Sequence, residues 1–176
     1  MRIFVARHGE TQWNHENKVC GRTDVPLTQV GSAQAEHLAE KVGKLALDLI
    51  VVSPMLRARQ TAAPVARRCN IPTIVDERLI EQDYGIFEGV DRQNPGFLAN
   101  KRQFAVRYPG GESMMDVAHR VYSLLEELKR EYPDKRVLLV CHGGVCRVIR
   151  TYFEDMTNDE FFSYSEENAA IREYCL

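Results

Sequence analysis

Short apolar runs of strand length recur along this chain, and stretches of helical periodicity separate them. No other feature restricts the possible folds as strongly. Strands alternating with helices form a mostly parallel sheet, because a parallel connection needs a crossover long enough to hold a helix. The expected fold is therefore α/β and three-layered, a mostly parallel sheet with helices on both faces. Ile3 to Ala6, Leu49 to Val52, Thr73 to Val75 and Arg136 to Cys141 read as strands, and Ala169 to Tyr174 reads as a last, antiparallel edge strand. Thr28 is placed to cap a helix whose apolar positions Ala35, Leu38, Ala39 and Val42 recur at helical spacing. Pro54 at a first helical position predicts a helix from Met55 to Arg68. Ser113 precedes a long amphipathic run with Val117, Val121, Leu124, Leu125 and Leu128 on one face, and Gly143 opens another helix.

The 176 residues suit one domain spanning 1–176, of a size that buries about 70% of its unfolded surface without staples. Residues 85–111 lack a core pattern and read as a lid or insertion. The 23 basic and 25 acidic residues nearly cancel, which argues against a nucleic-acid or membrane-surface partner. No apolar run reaches the roughly 20 residues of a membrane helix. The opening residues enter a strand pattern at once, without the apolar segment of a secretion signal. Five cysteines, an odd number without a CxxC pair, suggest reduced thiols and a cytoplasmic setting.

In open parallel sheets, ligands bind beyond the carboxyl ends of the strands. Here those ends carry Arg7-His8-Gly9, Ser53 before Arg57, Glu81 after the third strand, and His142-Gly143-Gly144. Arginine forks match phosphate oxygens, and a helix start exposes backbone N–H groups to an anion. Any one of these features is weak. Together they point to a phosphate site for a small phosphorylated metabolite.

The same residues carry a family resemblance. Arg7-His8-Gly9-Glu10-Thr11-Gln12-Trp13-Asn14 resembles the signature of the histidine phosphatase superfamily, which includes the cofactor-dependent phosphoglycerate mutases. The match runs on through Gly21 to Thr28, Ser53 to Ala62, Arg78 to Glu81, Tyr84-Gly85, Glu88-Gly89, Gly110 to Ser113 and His142 to Gly144. The resemblance implies the phosphoglycerate mutase-like fold and a set of roles. His8 would become phosphohistidine. Arg7, Arg57 and His142 would hold phosphoryl oxygens, and Glu81 would act as general acid and base. Asn14, Gly21, Thr23, Tyr84 and the Gly143 backbone would line the phosphate or substrate pocket; Arg22 would touch substrate or brace the loop. No metal and no other cofactor is implied, since the arginines supply the positive charge.

These roles are chemically coherent. A nucleophilic imidazole must be neutral, and neighbouring guanidinium groups disfavour its cation. A general acid must keep its proton near neutral pH, and a bound phosphate dianion favours the protonated carboxyl. The segment between Glu81 and Glu112 is shorter than the mutase insertion, and Glu81-Gln82-Asp83-Tyr84-Gly85 is closer to the phosphatase pattern than to the mutase one. Phosphomonoester hydrolysis is thus the leading expectation and phosphoglycerate mutase-type transfer the alternative. Lys101, Arg102 and Arg107 either meet a second anion or form a solvated face.

Two rivals are weaker. Cys141 to Arg147 spells Cys-x-x-Gly-x-x-Arg, the spacing of a cysteine-dependent phosphatase loop, but Val148 stands where a hydroxyl residue is usual. A non-catalytic phosphate-binding regulator would be expected to have lost one of His8, Arg57, Glu81 or His142. A metal site has little support: His8 and His15 do not form His-Glu-x-x-His, and His15, His37 and His119 read as surface or structural residues.

Overall fold

The computed structural model describes residues 1–175. Strand β1 (Arg2–Arg7) leads through the short helix α1 (Gln12–His15) and helix α2 (Gln29–Val42) to β2 (Leu49–Val52). Helix α3 (Leu56–Cys69) and β3 (Thr73–Val75) follow, then two 3-10 turns, Glu77–Leu79 and Gly85–Phe87, and helix α4 (Pro95–Lys101). Helix α5 (Met114–Glu131), β4 (Arg136–Cys141), α6 (Gly143–Phe153), α7 (Asn158–Ser163) and β5 (Ile171–Cys175) complete the chain. The sheet order is β3-β2-β4-β1-β5. All pairings are parallel except β1 with β5.

Alternation of side chains along a strand explains the three layers. Phe4, Ala6, Ile50, Val52, Leu138 and Val140 face one way, against Leu38, Ala39 and Val42 of α2 and Ala58, Ala62 and Val65 of α3. Ile3, Val5, Leu49, Val51, Leu139 and Cys141 face the other way, against α5 and α6. These strands are buried on both faces, and for that reason they read as continuous apolar runs. β3 is an exposed edge.

Local capping sets most boundaries. The Thr28 hydroxyl accepts from Gly31 N at 3.0 Å, and Ser113 forms a capping box with Asp116. The expected helix from Met55 with Pro54 at its first position is corrected: Met55 is the N-cap and the helix begins at Leu56. Its first turn is satisfied from elsewhere, by Asp24 Oδ1 accepting from Leu56 N at 2.9 Å. Residues 85–111, expected to lack a core, contain α4 and pack Phe97 and Tyr108 with Val19, Tyr84, Phe87 and Val90. Helix α7 was not anticipated, although Thr157 and Glu160 form a capping box there. Among the described residues, no helix is long and apolar enough to cross a membrane.

Candidate active site

The carboxyl ends of β1 and β4 lie side by side, with Arg7 in register with Cys141. The chain leaves these strands as His8 and His142, and the two rings sit 5.2 Å apart between centroids. The His8 backbone is pinned on both sides: its N–H donates to Cys141 O at 2.9 Å, and its carbonyl accepts from Asn168 Nδ2 at 3.0 Å.

Hydrogen bonding defines both histidine tautomers. His8 Nδ1 lies 2.7 Å from the Gly9 carbonyl. A carbonyl only accepts, so Nδ1 carries the proton and Nε2 keeps its lone pair. Arg57 Nε donates to His142 Nδ1 at 3.2 Å. Arginine only donates, so the His142 proton is on Nε2, which reaches Ser53 Oγ at 2.7 Å. Electrostatics agrees. Burial, then Arg57 and Arg7, holds His8 well below the usual imidazole range; burial, then Arg57 and His8, does the same for His142. Both rings are neutral near pH 7.

Arg57 is fully buried. Besides His142, its guanidinium donates to Thr23 O at 3.0 Å and Gly21 O at 2.7 Å. One helical turn on, Thr61 receives the Gly9 N–H at 2.9 Å and donates to Arg57 O at 2.8 Å. Helix α3 thereby fixes the loop that carries His8.

The Glu81 carboxylate is held by two backbone donors, Gln82 N at 2.8 Å and Gly144 N at 3.0 Å. The second bond attaches it to the first turn of α6. A Cβ on Gly144 would lie 2.6 Å from Glu81 Oε1, so this approach requires glycine. Arg7 donates to the Glu166 carbonyl, and its Nε is buried without a partner among the described residues. Burial and Arg92 push the Arg7 guanidinium below its usual range.

One cavity joins Arg7, His8, Asn14, Glu81, Tyr84, Gly143 and Gly144. Asn14 Oδ1 already accepts from Thr11 N at 3.1 Å and Asn168 Nδ2 at 3.2 Å, so its amide donor is what it can offer a ligand. The phenol of half-buried Tyr84 is pushed well above its usual range by burial and by Glu81, and it stays protonated. Arg57 and His142, expected to hold phosphoryl oxygens, are not among the described residues that line this cavity; both are fully buried beside it and bonded to each other. Gly21, Arg22 and Thr23 were expected at the pocket. Instead their three N–H groups converge on the Glu88 carboxylate, and the exposed Arg22 side chain pairs with Glu112 at 3.0 Å. Of the three lid cations, Lys101 lines the cavity. Arg107 pairs with Asp116 at 3.0 Å, and Arg102 borders a different groove.

The Cys-x-x-Gly-x-x-Arg reading finds no nucleophile. Cys141 belongs to the core beneath α5 and α6, with its Sγ 3.5 Å from that of Cys146. Burial pushes its thiol well above the usual range, and a thiol, unlike a thiolate, is a poor nucleophile. Arg92, Tyr108 and Tyr164 also line the cavity and are not marked as site residues by the sequence; Arg147 lines it too, although the sequence brings it in only through the rival cysteine loop. They come from a turn, from helix α6 and from two loops that only the tertiary fold brings together.

A phosphoglycerate mutase-like α/β sheet whose carboxyl edge holds paired neutral imidazoles among arginines defines a class of enzymes that work on phosphorylated compounds. The chain belongs to the histidine phosphatase superfamily, branch 1, whose family model matches residues 3–175, and it is an enzyme of that phosphatase family. It is 34% identical over 149 residues to an uncharacterized phosphatase, PhoE, of Bacillus subtilis, covering 85% of this chain and 75% of that one. It is 36% identical over 150 residues to a probable phosphoglycerate mutase, GpmB, of Cronobacter sakazakii, covering 81% and 70% respectively. Among solved structures, a mycobacterial glucosyl-3-phosphoglycerate phosphatase superposes with a TM-score of 0.86 at 29% identity, covering 98% of this chain and 88% of the other. A phosphoserine phosphatase mutant of Entamoeba histolytica, in complex with phosphoserine, gives 0.88 at 25%, covering 99% and 90%.

Proposed function

We propose that this enzyme hydrolyses small phosphomonoesters in two steps through phosphohistidine at His8. The observation that carries this reading is the His8 tautomer: a buried ring with Nδ1–H tied to Gly9 and Nε2 unprotonated, sharing a cavity with Arg7 and Glu81.

In the first step Nε2 attacks phosphorus. The N–P bond forms, the ester P–O bond breaks, and the leaving oxygen takes a proton from Glu81. In the second step a water attacks phosphorus and gives its proton back to Glu81. The N–P bond breaks, releasing inorganic phosphate and neutral His8. Positive charge and N–H groups around the phosphoryl group supply most of the catalysis in such transfers. Arg7 and the start of α6 present that charge from the cavity side. Arg57 spends three of its donors on Thr23, Gly21 and His142 and is not among the described residues that line the cavity, so in this arrangement it serves through its charge, which acts on His8; a direct bond from its two remaining N–H groups to a phosphoryl oxygen requires the site to close around the ester. His142 joins them when its Nε2–H leaves the Ser53 hydroxyl.

The printed names of the relatives include both hydrolases and a probable mutase. The short segment after Glu81 favours water as the final acceptor. The test is a panel of phosphomonoesters assayed for free phosphate and for isomerised product, with His8→Ala and Cys141→Ser alongside. Free phosphate should dominate, and only His8→Ala should abolish it. Dominant isomerisation would replace hydrolysis with mutase chemistry, and full activity of His8→Ala would overturn the mechanism.

A further inference from the structure

The segment just before β5 grips the loop that carries the nucleophile. Arg7 Nη1 donates to Glu166 O. Ala169 N donates to Arg7 O at 3.1 Å and to His8 O at 3.2 Å. Asn168 Nδ2 donates to His8 O at 3.0 Å and to Asn14 Oδ1 at 3.2 Å. Ala169 holds a φ of 56° within this set of contacts. A non-glycine residue rests in that left-handed region only where its surroundings overdetermine it. Half-buried Asn168 is not among the described residues that line the cavity, so it acts on a substrate only through another side chain.

That side chain is Asn14, and both amide orientations are forced. Thr11 N can only donate, so the atom it meets at 3.1 Å is the Asn14 oxygen. The atom that Asn168 turns toward this oxygen and toward the His8 carbonyl must then be its NH2. An amide oxygen accepts along two lone pairs, both near the amide plane. Thr11 N takes one and Asn168 the other, which fixes the plane of the Asn14 amide and the direction of the NH2 it offers the cavity. The bond from Thr11 alone would leave that plane free to swing. The His8 carbonyl, by contrast, also accepts from Ala169 N. The bond from Asn168 to His8 is therefore redundant, and the bond to Asn14 is not. We propose that Asn168 is a positioning residue for phosphoryl transfer, locking the Asn14 amide so that its N–H points at the phosphoryl oxygens. This rests on the hydrolase reading above and adds to it a residue from the far end of the chain.

The experiment is a double-mutant cycle read with p-nitrophenyl phosphate, with inorganic phosphate as a competitive inhibitor. Asn14→Ala should lower kcat/KM about 10²-fold, as expected for losing one donor to developing charge. Asn168→Ala should lower it about three- to tenfold and raise the Ki of phosphate by a similar factor, the worth of one hydrogen bond. Asn168→Asp keeps the shape but turns an oxygen toward Asn14 Oδ1, so it should be impaired at least as much. In the Asn14→Ala background, either change at position 168 should cost no more than about twofold. Simple loss of folded enzyme would leave the Ki of phosphate unchanged and cost the same factor in both backgrounds. Equal losses in the two backgrounds, an unchanged Ki, or wild-type kinetics in Asn168→Asp overturn the positioning role. In each of those cases, phosphate release by the wild type and its absence in His8→Ala would leave the hydrolase reading intact.

Discussion

Replacing Glu81 with glutamine separates its chemistry from its structural bonds. The carboxylate accepts from Gln82 N at 2.8 Å and from Gly144 N at 3.0 Å. An amide can satisfy one of these and turns its NH2 toward the other, leaving a buried donor unpaired at a cost of about 1–3 kcal/mol. For a protein of this size that is a fall in Tm of roughly 2–4 °C per kcal/mol, so Glu81→Gln should remain folded. Loss of a general acid costs about 10²–10⁴ in rate, or roughly 3–5 kcal/mol at 1.36 kcal/mol per tenfold. That loss should depend on the leaving group. An alkoxide must be protonated as it departs; nitrophenolate need not be. The assay is kcat/KM for glycerol 3-phosphate and for p-nitrophenyl phosphate, which reports the phosphorylation step. Glu81→Gln should lose about 10²–10⁴ on the alkyl ester and less than about tenfold on the aryl ester. With the aryl ester, the variant should also release a burst of nitrophenol, since the water step has lost its base. Equal losses on the two esters, with no burst, would refute the assignment of Glu81.

Two further outcomes follow from the geometry. Gly144→Ala places a Cβ 2.6 Å from Glu81 Oε1, so it should displace that carboxylate and reproduce the leaving-group selectivity of Glu81→Gln; unaltered kinetics on glycerol 3-phosphate would argue against the contact. His8 and His142 are both held well below the usual imidazole range, mainly by burial and then by Arg57. Below about pH 6.5 the unfolded chain binds protons that the folded one refuses, and above it both states hold neutral rings. Unfolding free energy should therefore fall with decreasing pH from about 6.5 toward 5, by up to roughly 1.4 kcal/mol per pH unit for each histidine. Urea titrations across that window should show the slope, reduced by about half in His8→Asn; a flat profile would contradict the buried neutral pair.

Much of this architecture is legible in the sequence because its determinants are local. Ile3 to Ala6, Leu49 to Val52 and Leu138 to Val140 are apolar throughout, and strands buried on both faces must be so. Thr28 and Ser113 mark helix starts because their own hydroxyls cap them. The start of α3 is less legible because its N-cap, Met55, has no capping side chain and the acceptor for Leu56 N is Asp24, far away in sequence. The same division runs through the site. Arg7, His8, Glu81 and His142 can be found because strand ends are where ligands bind. The occupant of the Gly21 to Thr23 amides, Glu88, cannot be read from the motif, since it arrives from a distant loop. Likewise Arg92, Tyr108, Arg147 and Tyr164 become site residues only when a turn, α6 and two loops fold over the same cavity.

The most direct measurement is rapid-quench trapping with a ³²P-labelled ester, stopped in alkali and followed by peptide mapping. Radiolabel should accumulate within one turnover on the peptide containing His8, as an acid-labile adduct that decays as free phosphate appears. Turnover at full rate with no label on that peptide, or label carried by any other residue, would contradict phosphoryl transfer to His8.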